Sequence, residues 1–395
     1  MKQPLEDIRV IDLSRVYAAP AGSMILADLG ADVIRVELPG GADSIREWGP
    51  YVNGESTYYF TANRNKRSMT LNLKTEKGKE IFLELVKDAD VVLNNFKTGT
   101  LERMGLHYDY LKTINDQLIM CSVTGFGQTG PLKSEPGFDP VIQAMSGLMD
   151  VNGHPDGEPT KVGIPIADIL TSNYVAIGII AAIRMRDFTK KGQHIDMSLL
   201  DVQLSSLANI TSSYLNTGKV PKRLGNVHQN IVPYQVFYCK DAPIMLAVGS
   251  NIQFKKFCEL IGRPEWINDP KYSTNEKRLE NREEIVDMIK EILKTKNADE
   301  WLELFSEAQI PAGKVNTVKE ALEQPQAIAR EIVETVKHPM IGEVKMTKSP
   351  LRFSELNIKS SLAPPLLGEH TDEILSKELG YSEEELAELR EMNVI

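Results

Sequence analysis

In the stretch KVGIPIADILTSNYVAIGIIAAI, residues 161–183, one carboxylate, Asp168, stands at the entrance of a long apolar run. An aspartate there reads first as a helix N-cap, whose side chain accepts a hydrogen bond from a first-turn amide and is worth about 1 kcal/mol. The same amides, with the helix dipole, would keep the carboxylate ionised and fix its direction. An oriented carboxylate is a weak nucleophile, yet it can carry an acyl group when an activated acyl donor is held against it. The two roles are compatible, because a cap at the mouth of a cleft already faces the ligand.

Other chemistries find less support. Gly125-Phe-Gly127-Gln-Thr-Gly130 is a literal G-x-G-x-x-G after a strand pattern. A dinucleotide site needs a helix to open there. Pro131 and the turn-forming KSEPG follow instead, so the loop reads as a pocket lining and not as a pyrophosphate cradle. The six histidines (His107, His154, His194, His228, His338, His370) lack H-x-x-x-H spacing, and the three cysteines (Cys121, Cys239, Cys258) form no ligand pair, so no metal site is expected. No G-x-S-x-G nucleophile elbow and no Walker sequence occurs.

The elements that would position Asp168 follow a regular alternation. Strand patterns at 8–13, 31–38, 68–73, 89–96 and 118–124 are separated by helical patterns at 20–30, at TEKGKEIFLELVKD behind a Thr75 cap, and at 108–114. Strands alternating with helices predict βαβ units and a parallel sheet covered on both faces. Helical patterns at 139–149 and 169–187, a strand at 193–197 and a helix at 198–216 complete this part. Residues 217–233 are rich in Gly, Pro, Lys, Arg and Asn and read as a linker or site loop. Amphipathic helices and short strands beyond 234 suit a smaller α+β domain, and 368–395 is an acidic helical tail.

Composition bounds the partners. The chain has 395 residues, 42% of them hydrophobic, and 45 Lys plus Arg against 55 Asp plus Glu, a net charge of −10. These are ordinary globular proportions. The acidic balance speaks against nucleic-acid binding through a broad basic face, although a local basic pocket can still hold a polyanionic small molecule. The most apolar run, Tyr174 to Ile183, is short of the ~20 residues that span a bilayer. The charged N-terminus MKQPLEDIRV enters a strand pattern at once, unlike a signal peptide. A soluble cytoplasmic protein without a membrane partner is the expectation.

Several blocks resemble the class III CoA-transferases, the formyl-CoA transferase and carnitine CoA-transferase type: VIDLSRVYAAPAGSMILADLGADVIRVE, NRNKRSMTLNLKTEKGKE, DADVVLNNFKTGTLERMGL, CSVTGFGQTGP, the Asp168 block, KKGQHIDMSLLD, RLGNVHQNIVPYQ and PLLGEHTDEIL. They occur in family order along nearly the whole chain. The resemblance implies that Asp168 attacks a CoA thioester, forming an acyl-aspartyl anhydride and releasing a CoA thiolate for reuse. It implies CoA contacts at Ala18, Leu71, Lys74, Asn95, Phe96 and Arg103. Lys74 and Arg103 suit the phosphates of CoA physically. It also places Tyr17, Phe138 and the loop residues Gly225, Asn226 and His228 against substrate. Tyr17 stands where formyl-CoA transferase has an amide side chain, Leu38 replaces a basic CoA contact, and the 225–228 loop lacks that enzyme's run of glycines. The departures at Tyr17 and Leu38 weigh against formyl or oxalyl specificity.

An α-methylacyl-CoA racemase of the same superfamily is the alternative. Its histidine precedes an aspartate in G-H-D, whereas this chain reads Gly137-Phe138-Asp139, and phenylalanine cannot shuttle a proton. A CoA-binding regulator without catalysis is a third reading, opposed by the presence of Asp168. The resulting expectation is an α/β enzyme with a large Rossmann-like parallel-sheet domain (1–217, completed by 326–395), a linker and active-site loop (218–233), and a small α+β domain (234–325). The resemblance further implies an interlocked homodimer, with the active site between the large domain of one chain and the loop of the other. The substrates expected are an acyl-CoA and a carboxylic acid, with a dicarboxylate such as succinate as the narrower expectation; no permanently bound cofactor is expected.

Overall fold

A computed structural model describes residues 2–338, 340–358 and 362–395. The chain forms two compact units: Met1–Leu148 with Lys161–Lys219 and Arg330–Ile395, and Met149–Thr160 with Val220–Ala329.

The first unit is built on a six-stranded parallel sheet. Its strands are β1 (Arg9–Asp12), β2 (Asp32–Glu37), β3 (Lys66–Thr70), β4 (Val91–Asn94), β5 (Ile119–Thr124) and β6 (His194–Ser198), in the order β3-β2-β1-β4-β5-β6. Side chains alternate between the faces, as the pleat requires. Val10, Val33, Val91, Leu93, Ile119 and Cys121 enter one core; Ile11, Ile34, Met69, Val92 and Met120 enter the other. The first core is covered by α1 (Ala18–Asp28) and by residues of the Asp168 helix, the second by α2 (Glu76–Lys87) and the C-terminal segment, down to Val394 and Ile395. Thr75 caps α2 as its sequence predicts, with Oγ1 accepting from Gly78 N at 3.0 Å.

Two further helices matter for the site: α3 (Asp139–Met145) and α4 (Ile166–Thr189). At 24 residues α4 exceeds the expected 169–187, and it is the one described helix long and apolar enough to cross a membrane by length and composition. Ala167, Thr171, Val175, Ala176, Ile179, Ala182 and Ile183 bury one of its faces in the first unit. The single helix expected over 198–216 is two, Leu199–Ser206 and Ala208–Thr217, because Ala208 adopts φ +47°.

Buried charge organises the carboxyl ends of β1, β2 and the residue opening β3. Lys66 Nζ donates to Asp12 Oδ2 (3.1 Å), Pro20 O (2.8 Å) and Asn63 Oδ1 (3.1 Å). Arg35 pairs with Asp43, whose carboxylate also accepts from Val16 N at 3.1 and 3.2 Å. Val16 sits at φ 62°, a left-handed conformation that a β-branched residue holds only when its surroundings compel it. Asp43 is therefore the clamp on the turn between β1 and α1.

The second unit carries a three-stranded antiparallel sheet of Tyr234–Tyr238, Pro243–Ala247 and Ala312–Lys314, with Pro243–Ala247 in the middle. Helices Asn251–Leu260, Arg282–Leu293 and Ala298–Glu307 pack their apolar stripes into its core. Residues 149–160 join this unit through Gly225 N donating to Gly153 O (2.9 Å) and an Arg223–Asp150 ion pair.

Candidate active site

The turn after β1, the ends of β4 and β5, and the start of α4 converge on a cavity of about 350 Å³. Arg15, Tyr17, Ala18, Asn95, Phe96, Gly125, Phe138 and Asp168 all line it. Ligand sites of open α/β sheets occur at the carboxyl ends of strands, and this one does. A second cavity of about 320 Å³ is lined by Leu38, Leu71, Lys74, Thr100 and Met104, and shares Arg15 and Phe96 with the first. The two cavities therefore adjoin along one wall. Arg103 lies on the Thr100–Met104 helix, exposed, with Nη2 donating to Thr100 Oγ1 at 3.0 Å.

Of the residues named from the sequence, Asp168, Tyr17, Ala18, Asn95, Phe96 and Phe138 share the first cavity, and Leu71, Lys74 and Phe96 the second. Gly225, Asn226 and His228 belong to the other unit. There Gly225 holds φ +61°, His228 Nδ1 accepts from Asn230 N (3.1 Å), and the Arg282 guanidinium donates to His228 O. The G-x-G-x-x-G loop opens no helix, since the next one starts at Asp139. Gly125 instead permits a close approach: a Cβ there would lie 2.6 Å from Gly137 Cα, and both glycines line the cavity.

Asp168 differs from its expected role. Pro165 is the N-cap, and Asp168 lies inside the first turn of α4. The free amides of that turn go to another carboxylate: Asp139 Oδ1 accepts from Ala167 N (2.7 Å) and Asp168 N (3.3 Å). Asp139 Oδ2 accepts from Gln143 Nε2 (2.6 Å), and Gln143 Oε1 from Val162 N (2.8 Å). Asp168 itself accepts no hydrogen bond from a described residue. Its carboxyl is consequently not held ionised by the helix: burial, and then the negative Asp139, push it up to about 7. A carboxylate of raised basicity that remains ionisable near neutrality is suited to nucleophilic work.

Reasoning from sequence missed several wall residues. The Arg15 backbone is clamped by the Asn95 side chain (N to Oδ1 2.9 Å; Nδ2 to O 2.8 Å), while its guanidinium lies over the Phe96 ring at 5.9 Å and forms no ion pair with a described residue. Lys133 also lines the first cavity. Tyr58 packs edge-on against Tyr17 (5.9 Å) and Trp48 (5.5 Å). Burial raises both tyrosine phenols, and the charge of Asp168 adds to that in each. Arg15 lies within the stretch VIDLSRVYAAP, and nothing in the sequence marks it as a cation without an ion-pair partner among the described residues.

Comparison with known proteins gives a consistent picture. The sequence profile described as CoA-transferase family III matches residues 5–371. The chain is 39% identical over 394 residues to the human succinyl-CoA:glutarate CoA-transferase, covering 100% of this chain and 90% of the human one. It is 40% identical to a succinate–glutarate CoA-transferase of Agrobacterium fabrum, covering 95% and 96% of the two chains. A crystal structure of a CaiB/BaiF family protein from Brucella suis superposes with a TM-score of 0.85 at 42% identity, covering 95% of this chain and 100% of that one.

Proposed function

The chain belongs to CoA-transferase family III, and from that premise we propose that it moves coenzyme A between an acyl-CoA and a dicarboxylic acid through covalent intermediates on Asp168. The observation that carries this reading is the placement of a largely buried carboxylate of raised basicity, Asp168, on the wall of a cleft long enough to be two adjoining cavities.

In the first step an Asp168 carboxylate oxygen attacks the thioester carbonyl carbon. The carbon–sulfur bond breaks, the CoA thiolate leaves, and a mixed anhydride remains. Attack of the thiolate on the aspartyl carbonyl frees the donor acid and leaves CoA on Asp168 as a thioester. The acceptor carboxylate then runs the same two steps in reverse and departs as its CoA ester. Lys74, Arg103 and Arg15 offer cations for the phosphates of CoA, with Leu71, Phe96, Asn95 and Ala18 along the cleft. Lys133 on the Asp168 cavity supports an acid bearing a second carboxylate, as does the relatives' use of succinyl-CoA and glutarate. Tyr17 and Phe138 are proposed to face substrate, with Gly225, Asn226 and His228 contributed from the loop of a second copy. Racemisation is disfavoured, since Phe138 supplies no base at the position next to Asp139.

The homodimer is part of the same proposal. Tyr174, Ile177, Ile180, Met185 and Phe188 are exposed along α4, an apolar row that a second copy would cover.

Incubation with succinyl-CoA and hydroxylamine should convert Asp168 alone to its hydroxamate, and Asp168→Ala should fold and show no transfer. Transfer without modification of the Asp168 peptide would refute the mechanism and leave a transferase that works by some other route.

A further inference from the structure

Asp139 is buried, on a different helix from Asp168, and its Oδ1 is spent on the turn that carries Asp168. Three donors hold it: the Ala167 and Asp168 amides and the Gln143 side chain. Gln143 in turn holds Val162 N, so the Asp139–Gln143 pair grips the chain on both sides of Pro165. A capping residue need not be charged, since Asn and Ser cap as well as Asp. A charge here places a second negative group beside the nucleophile, in a partly desolvated site where repulsion is screened poorly.

We propose that Asp139 is a positioning residue for the covalent step: it fixes the first turn of α4 and, by its charge, makes the Asp168 carboxylate eager to be discharged. Asp168 can lose its charge in two ways, by taking a proton or by taking an acyl group. Each relieves the same repulsion. Whatever raises its affinity for a proton in the resting enzyme therefore also favours the neutral anhydride or thioester over the free carboxylate. The Ala167 and Asp168 amides, which would otherwise quiet Asp168, are taken by Asp139. The other ionisable groups about Asp168 do not counter this. Tyr17 and Tyr58 have phenols raised above the ordinary value, chiefly by burial, so they bring no charge near neutral pH. Arg15, Lys97, Lys133 and Glu135 line the same cavity, yet burial and Asp139 are what move the Asp168 carboxyl.

This inference rests on Asp168 being the nucleophile, and the experiment separates the two. The Asp168 carboxyl is titrated by infrared difference spectroscopy in the full-length protein, its band assigned by loss in Asp168→Asn. The wild type should titrate near 7. Asp139→Asn keeps an oxygen for the Ala167 and Asp168 amides and drops the charge, while its Nδ2 can no longer accept from Gln143 Nε2. Its midpoint should fall by about one pH unit, whereas Gln143→Ala, which loses that bond and keeps the charge, should stay near the wild type. Asp139→Glu should stay close to the wild type. The acidic limb of single-turnover CoA release should follow the spectroscopic midpoint in each variant, with KM for acyl-CoA unchanged. A merely structural cap predicts the same midpoint in Asp139→Asn, and that result would overturn the proposal. Should Asp139→Asn fail to fold, Asp139→Ser, also a capping residue without charge, is read by the same criterion. A shifted titration with an unshifted kinetic limb would uphold the coupling of the two carboxyls and remove Asp168 from the covalent step, overturning the proposal's catalytic half.

Discussion

Replacing Asp168 by Asn should make the protein more stable, and only above mildly acidic pH. An acidic residue in the first turn of a helix ordinarily stabilises by ~0.3–1 kcal/mol, so a purely structural Asp168 predicts that the substitution weakens the protein. The site geometry predicts the opposite sign. The carboxyl is raised from 3.8 to about 7 by burial and by Asp139. Between those two pH values the folded state keeps a proton that the unfolded chain has lost. Stability therefore falls as pH rises through this window, and above 7 the full penalty is present. A displacement of that size corresponds to ~4 kcal/mol, which partial solvent exposure reduces to about 2–3 kcal/mol. Urea unfolding of wild type and Asp168→Asn at pH 4.5, 6 and 8, at one fixed protein concentration, measures the difference. The curves should nearly coincide at pH 4.5 and separate progressively, with the variant about 2 kcal/mol more stable at pH 8. Equal stability at pH 8, or a less stable variant, would show that the carboxylate is comfortable in its site and that the argument for a primed nucleophile is wrong.

Arg15→Ala and Lys74→Ala should each raise KM for acyl-CoA about tenfold with kcat little changed, since an unpaired cation on the cleft wall gains a charge-assisted bond worth ~1.5–3 kcal/mol when phosphate arrives; steady-state kinetics at two salt concentrations check this, and an unchanged, salt-independent KM would remove that residue from the site. Lys66→Met should cost about 3–5 kcal/mol in urea unfolding, because it leaves the fully buried Asp12 carboxylate without its cation.

The sheet was largely readable from the sequence because its signal is local. Val10 and Ile11, or Val92 and Leu93, face opposite cores, and every strand of the central four is apolar on both. Such runs announce a covered parallel sheet wherever they alternate with capped helices such as the one behind Thr75. Where the reading missed, the cause was a choice made by distant parts of the chain. Nothing in SSLANIT signals that Ala208 leaves the helical region, for there is no Gly or Pro at the break. Residues 149–160 join the second unit through Gly153 and Asp150, whose partners Gly225 and Arg223 lie more than 70 residues on. The cleft residues were identified mostly by their resemblance to a family, since an exposed Lys74 or a buried Ala18 has no chemical mark of its own.

Asp168 shows the limit most clearly. Its position at the head of an apolar helix was legible, and the role of cap followed from it by a sound local rule. The rule failed because an aspartate 29 residues earlier in the chain reaches the same amides first. Once that partner is placed, the electrostatic conclusion reverses: amides expected to calm Asp168 calm Asp139, and Asp139 disturbs Asp168. Reactivity here resides in the difference between two carboxylates of the same type, one fully bonded and one that accepts no hydrogen bond from a described residue. A sequence shows both aspartates and cannot rank them, because the ranking depends on which oxygen the Ala167 amide meets at 2.7 Å.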